Sequence, residues 1–219
     1  MAEITAQLVK ELREITGAGM MDCKRALSEA SGDIETAIEN LRKKGLKDLG
    51  KRAGKVAAEG LVHSYIHAGG RIGVILELNC ETDFVARGEE FTALANTIAM
   101  HVAWSNPRFL NRESVDPAVL EKEKEIYLGQ LTEPQKKVAD KIISGKVDKF
   151  YQENCLLEQL DARDPTAKQS IGDLINALSL KVGEKVELKR FARFEVGEGV
   201  EKQAVDYAEE VQAVQNSVN

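Results

Sequence analysis

Asn79-Cys80-Glu81-Thr82-Asp83-Phe84-Val85-Ala86-Arg87 separates two apolar patterns of different period, and that change of period decides the fold. Before it, Arg71-Ile72-Gly73-Val74-Ile75-Leu76-Glu77-Leu78 is a short β-rich run of the buried-strand type. After it, Phe91, Leu94, Ala95, Ile98, Ala99 and Val102 recur at spacings of three and four, which predicts a helix ending near Trp104 and Asn106-Pro107. The stretch between them is a strand-to-helix corner, where side chains tend to project rather than pack. A carboxylate, Asp83, and a large aromatic, Phe84, sit side by side on it.

Outward on the N-terminal side, Leu61-Val62-His63-Ser64-Tyr65-Ile66-His67 is a second β-rich run. Gly69-Gly70 separates the two runs, which predicts a hairpin. His63 and His67 are four residues apart, but on a strand that spacing is about 13 Å, too far for one shared zinc; with His101 they are expected to be ordinary polar histidines. Residues 43–55 are basic and punctuated by glycine, and predict a linker with at most a short helical piece. Gly45 to Lys51 matches most of a phosphate-binding loop. Arg52, however, stands where Ser or Thr must ligate magnesium, and the segment follows a helix rather than a strand, so a nucleotide site is excluded.

Residues 4–44 predict three short helices. Ile4, Leu8, Leu12 and Ile15 form the first stripe with Thr5 as a cap, and Gly17-Ala18-Gly19 ends it. Cys23, Ala26, Leu27 and Ala30 form the second; Ile34, Ala37, Ile38 and Leu41 form the third, capped by Asp33 and closed by Gly45. Met20 and Met21 at the start of the second helix are either core filler or a flexible, exposed contact for a partner. The arrangement resembles the ubiquitin-associated type of three-helix module, which binds partners through the loop between its first two helices.

On the C-terminal side, Asp116-Pro117 opens a charged helix. Pro134 opens another, which Gly145 is expected to interrupt before Val147 to Leu160, giving a solvated helical hairpin. Ser170 to Leu180 repeats the helical period, Glu184 to Phe194 alternates as a third strand, and Val200 to Asn219 predicts a terminal helix. The expected architecture is α+β: a three-helix module over 1–45, a basic linker over 46–56, a core of a small antiparallel sheet packed with helices over 57–198, and a C-terminal helix over 199–219.

Composition bounds the function. A chain of 219 residues that is 43% hydrophobic can bury a core and carry a small satellite module. Its net charge of −6 argues against a general nucleic-acid binder, which needs an excess of Lys and Arg against phosphate. Cys23, Cys80 and Cys155 are isolated and odd in number, so they suit reduced thiols rather than a disulfide framework or a Cys-x-x-Cys metal site. No basic and apolar leader opens the chain and no apolar run reaches spanning length, which points to a soluble intracellular protein. No constellation of catalytic side chains stands out.

Two runs carry a family resemblance: Leu12-Arg13-Glu14-Ile15-Thr16-Gly17-Ala18-Gly19-Met20-Met21-Asp22-Cys23-Lys24-Arg25-Ala26-Leu27, and Glu77-Leu78 followed by Asn79 to Arg87. Together they resemble the elongation factor Ts family, the guanine-nucleotide exchange factors of elongation factor Tu. The resemblance implies a cytoplasmic partner of that GTPase, working without a cofactor or covalent chemistry. It implies that Thr82, Asp83, Phe84 and Val85 displace magnesium from the partner, Phe84 being the wedge. It also implies that Arg13, Met20, Met21 and Lys24 touch the partner's nucleotide-binding domain, which tilts the methionine pair toward contact. Longer relatives have two similar core subdomains and a coiled-coil insertion. This chain has room for one subdomain, so a homodimer in a two-plus-two complex with the GTPase is expected. A generic adaptor for ubiquitin-like partners and an RNA-binding accessory factor using the basic linker are the other classes.

Overall fold

A computed structural model describes residues 4–163 and 168–200. The fold is α+β: helices surround one face of a three-stranded antiparallel sheet, in the order β1 (Glu59–Ile66), β2 (Ile72–Cys80), β3 (Glu187–Glu195). The β1–β2 hairpin turns through Gly69 and Gly70, both at positive φ, which side-chain-bearing residues rarely adopt. Gly60 faces Asn79 across the ladder, and a Cβ there would stand 2.2 Å from the Leu78 carbonyl oxygen. Only glycine allows β2 to run this close as it approaches the corner.

Alternation sorts the two sheet faces. Val74, Leu76, Leu78 and Cys80 of β2 point inward and are buried, joined by Leu61 and Tyr65 from β1. The β2–β3 register slips between Glu77 and Leu78, so Leu188 and Phe191 both contribute to the inner side. A bulge of this kind is how a strand keeps two non-alternating side chains on one face. Against this face pack α5 (Glu89–Ser105), through Phe91, Ala95, Ile98, Ala99 and Val102, and α9 (Ile171–Val182), through Ile171, Ile175 and Leu178. Ser170 caps α9 in a reciprocal box with Asp173.

The first three helices, α1 (Ala6–Thr16), α2 (Met20–Glu29) and α3 (Ile34–Arg52), share a separate small core of Val9, Leu12, Cys23, Ala26, Leu27, Ala30 and Ala37. Thr5 and Asp33 cap α1 and α3 as their positions predict. Two expectations fail here. Ile15 is exposed rather than part of the α1 stripe. And Gly45 does not close α3: the helix continues to Arg52, through much of the stretch expected to be linker. Its interior glycine is buried against Leu180 of α9, and a Cβ at that position would lie 3.0 Å from Leu180 Cδ1. Gly45 thus marks a close helix–helix approach, which offsets the roughly 1 kcal/mol that glycine costs inside a helix. Further on, the Arg52 guanidinium donates to the Ser179 carbonyl in the last turn of α9 (3.1 Å), an oxygen that also accepts the Gly183 N–H (3.0 Å).

Beyond α5, α6 (Pro117–Gly129), the short α7 (Glu133–Lys136) and α8 (Ala139–Asn154) form the expected helical hairpin over a minor cluster of Val115, Phe150 and Cys155. Asp116 caps α6, with Pro117 in its first turn. Gly145 does not interrupt α8, which absorbs it on an exposed face. Phe109 pairs with Cys155 in an isolated parallel bridge. Arg112 ties the hairpin base to Glu158 and Asp148 while stacking over Tyr151. The terminal helix expected from Val200 onward falls almost wholly on 201–219, outside the described residues.

His101 is buried on α5, a polar histidine whose two ring nitrogens both meet protein partners. Its Nδ1 accepts the Ala162 N–H (3.4 Å), which leaves Nε2–H to donate to Gln159 (2.9 Å), so a neutral ring pins the 155–163 segment onto α5. Burial pushes its pKa below the ordinary value of 6.5, against the opposing pull of Gln159 and Asp161. The unfolded chain therefore takes up the proton first as the pH falls, and stability declines from the ordinary histidine range downward until the folded ring itself titrates. Thermal melts between about pH 7.5 and 5 are expected to show this loss, and His101→Gln to reduce it; identical pH profiles would contradict it.

Candidate functional site

Cys80, the last residue of β2, is fully buried, and Ala86 is 7% exposed. Between them the chain reverses and enters α4 (Asp83–Ala86), a single turn that leads through Arg87 and Gly88 into α5. Val85 packs on the core from one side of this turn. Phe84, one residue earlier and rotated by about 100° in helical geometry, is directed away from it. The ring is 86% exposed, more than any other large apolar side chain among the described residues. Asp83, partly exposed, pairs with Arg87 at 3.0 Å.

A single turn of helix does not hold itself together in water, so the corner must be fastened from elsewhere. The Cys80 thiol donates to the Thr82 carbonyl (3.1 Å). Burial, and after it the charge of Glu184, push that thiol's pKa up, so it stays a protonated donor rather than a nucleophile. From the turn between α9 and β3, Glu184 accepts the N–H groups of Glu81 (3.2 Å) and Thr82 (3.0 Å) and the Thr82 hydroxyl (2.6 Å). In return the Glu81 carboxylate accepts the Lys185 N–H (2.7 Å) and the Lys55 ammonium (2.7 Å). Lys55, and next the Lys185 N–H, hold the Glu81 carboxyl below its ordinary range. These are charge-assisted bonds, about twice as strong as neutral ones.

Glu184, Lys185 and Lys55 escaped sequence reasoning. They meet the corner from 102, 104 and 26 positions away along the chain, and no local pattern signals such a crossing. The only hint was a carboxylate placed directly after Gly183.

The other sequence-predicted group lies on the three-helix module. Arg13 is exposed near the end of α1; Met20 and Met21, 60% and 75% exposed, open α2; Lys24 is exposed one turn later. Ile15, on the last turn of α1, is exposed as well. Neither Arg13 nor Lys24 belongs to an ion pair among the described residues, whereas neighbouring Asp22 is held by Lys44 and Arg25. The Lys44 hydrogen bond is the largest influence keeping the Asp22 carboxyl below its usual range, and it ties α2 to α3. No hydrogen bond or ion pair among the described residues joins the two predicted groups directly. They are related through α3, about 28 Å long at 1.5 Å per residue, whose far end docks on α9 and leads to Lys55.

No nucleophile is activated at the corner, whose carboxylates are occupied by backbone N–H groups and cations; what it offers is a solvent-exposed ring on a fastened base. Among the described residues no three His, Cys, Asp or Glu side chains gather as metal ligands, and no helix is long and apolar enough to cross a membrane.

Comparison with known proteins agrees with the resemblance carried by the two sequence runs. The family described as Elongation factor TS matches residues 2–198. Elongation factor Ts of Moorella thermoacetica is 59% identical over 199 residues, covering 90% of this chain and 97% of its own length. That of Syntrophomonas wolfei is 56% identical over 210 residues, covering 95% and 97%. That of Caldanaerobacter subterraneus subsp. tengcongensis is 56% identical over 201 residues, covering 91% and 100%. With both diagnostic runs in place on the α+β fold and similarity this high along nearly the whole chain, the protein belongs to the elongation factor Ts family.

Proposed function

We propose that this chain is a guanine-nucleotide exchange factor for elongation factor Tu in translation elongation. It binds the GDP-loaded GTPase, displaces magnesium, promotes GDP release and stays bound until GTP enters. The observation that carries this reading is Phe84, 86% exposed on a corner fastened from beneath. A ring of that size gains about 1.5–3 kcal/mol on full burial. If the niche that receives it opens only when the magnesium-supporting geometry has yielded, that gain is differential binding to the nucleotide-free state. Linkage then makes nucleotide and factor weaken each other equally. No bond is made or broken in either protein, so the role is that of a binding partner rather than an enzyme.

In this reading Thr82, Asp83, Phe84 and Val85 form the magnesium-displacing element, with Asp83 and its Arg87 partner beside the ring. Arg13, Met20, Met21 and Lys24 dock the ubiquitin-associated-like module on the partner's nucleotide-binding domain. The exposure of both thioethers favours contact over core filling. The three-helix module and the core keep separate hydrophobic cores and act as two units coupled where α3 docks on α9. The site of action is the cytoplasm, with no direct part for membrane or nucleic acid.

The chain pairs with a second copy to give a two-plus-two complex. Support comes from the outer sheet face, where Val62, Ile66, Ile75 and Phe194 are exposed and the last three line a shallow groove of about 350 Å³. An apolar face of this kind on a single sheet is typical of a surface that another layer covers.

Stopped-flow release of a fluorescent GDP from elongation factor Tu tests the wedge. Phe84→Ala is expected to slow factor-stimulated release roughly 10- to 100-fold, the rate equivalent of the lost burial, while leaving the melting curve of the isolated chain almost unchanged. An undiminished rate would remove Phe84 from the mechanism. For the dimer, static light scattering should give twice the chain mass, falling to the single-chain mass in Phe194→Asp; a single-chain mass for the unsubstituted protein at micromolar concentration would rule the pairing out.

A further inference from the structure

We propose that Glu184 is a positioning residue for nucleotide exchange: its carboxylate orients the Glu81–Thr82 backbone so that Phe84 is presented already aimed. The proposal rests on the wedge role of Phe84 given above and adds the residue that sets its direction.

Phe84 has nothing of its own to hold it. It is almost wholly exposed, so its orientation is inherited from the backbone of α4. That turn is fixed at its exit by the burial of Ala86 and the packing of Val85. At its entry the backbone bonds of α4 do not suffice: the Ala86 N–H reaches the Thr82 carbonyl at 3.2 Å and the Arg87 N–H reaches Asp83 at 3.0 Å, both internal to the turn. They hold the turn's shape but not its orientation relative to the sheet. Glu184 supplies that reference through three donors converging on one carboxylate.

Thr82 shows the same priority. It occupies the N-cap position of α4, where a threonine hydroxyl ordinarily accepts a backbone N–H of the first turn. Here it makes no such cap and donates instead to Glu184 Oε1. The local bond that would steady the helix is given up for a long-range bond that steadies its direction. The reciprocal bonds from Glu81 to the Lys185 N–H and Lys55 stop the α9–β3 turn from yielding in its place. A ring aimed beforehand avoids the ordering cost of aiming it on the partner, and such costs are a main reason buried area fails to become affinity.

A double-mutant cycle on the full chain separates positioning from general stabilisation. The readout is the maximal rate of labelled GDP release from elongation factor Tu at saturating factor, with wild type, Glu184→Ala, Phe84→Ala and the double variant. Glu184→Ala is expected to lower that rate about tenfold, as for loss of a charged hydrogen bond, and Glu184→Gln to recover part of it. In the Phe84→Ala background the same change should matter less than about twofold, because there is no ring left to aim. Thr82→Val, which removes only the hydroxyl donor, runs the same cycle with the carboxylate and both N–H bonds retained, should Glu184→Ala prevent folding. Equal slowing in both backgrounds would overturn the proposal, as would a Glu184→Ala rate equal to wild type while Phe84→Ala is slow. If Phe84→Ala itself releases GDP at the wild-type rate, the wedge falls and this role falls with it.

Discussion

Cys80 and Ala86 are both sunk in the core, and only the five residues 81–85 lie between them. This constraint dictates the rest of the functional surface. The chain has to leave an inward-facing strand position, reverse, and return to the same core within one loop. Helical geometry then sends Val85 and Ala86 toward the core and Phe84 away from it. The hydrophobic effect acting on the flanking residues is what forces the largest apolar side chain of the corner into water. Its exposure is a consequence of the packing around it rather than a failure of packing.

The same economy links the corner to the three-helix module. A factor that touches a partner at two places benefits only if their separation is preset, because the cost of fixing it would otherwise fall on binding. Here α3 runs without a break past Gly45, lies against Leu180, and delivers Arg52 to α9 and Lys55 to Glu81. The absent side chain at residue 45 lets the two helices approach, and the approach brings the connector under the corner. Asn79 adds a further tie through the Ala57 carbonyl at 3.2 Å. Module and corner are thus related by helix packing and a chain of polar bonds, not by a free tether.

Features governed by local periodicity were legible in the sequence. The alternation through Val74, Leu76 and Leu78, the Gly69-Gly70 turn, the α5 stripe, the Thr5 and Asp33 caps and the helix start at Asp116-Pro117 all depend on neighbours within a turn or two. What eluded it was decided by distant partners. Gly45 and Gly145 read as helix stops because glycine costs helix stability, but that cost is small and is offset at Gly45 by Leu180, which lies 135 positions away in the chain. Ile15 fitted the α1 stripe by spacing, yet a three-helix core this small fills before reaching it. The burial of His101 was not legible either, because Gln159 and Ala162, which close over it, stand 58 and 61 positions further on. At the corner, the Thr82 to Val85 segment stood out in the linear sequence, whereas its fastening comes from Glu184 and Lys185, 102 and 104 positions away on the turn between α9 and β3.

The base of the exposed ring is rigid before any partner arrives. Amide hydrogen exchange at Glu81 and Thr82 in the free chain measures this most directly, since both N–H groups point at the Glu184 carboxylate. Slow exchange is expected at both, approaching that of the paired amides in β2. Exchange as fast as in the open turn around Gly69 would contradict it.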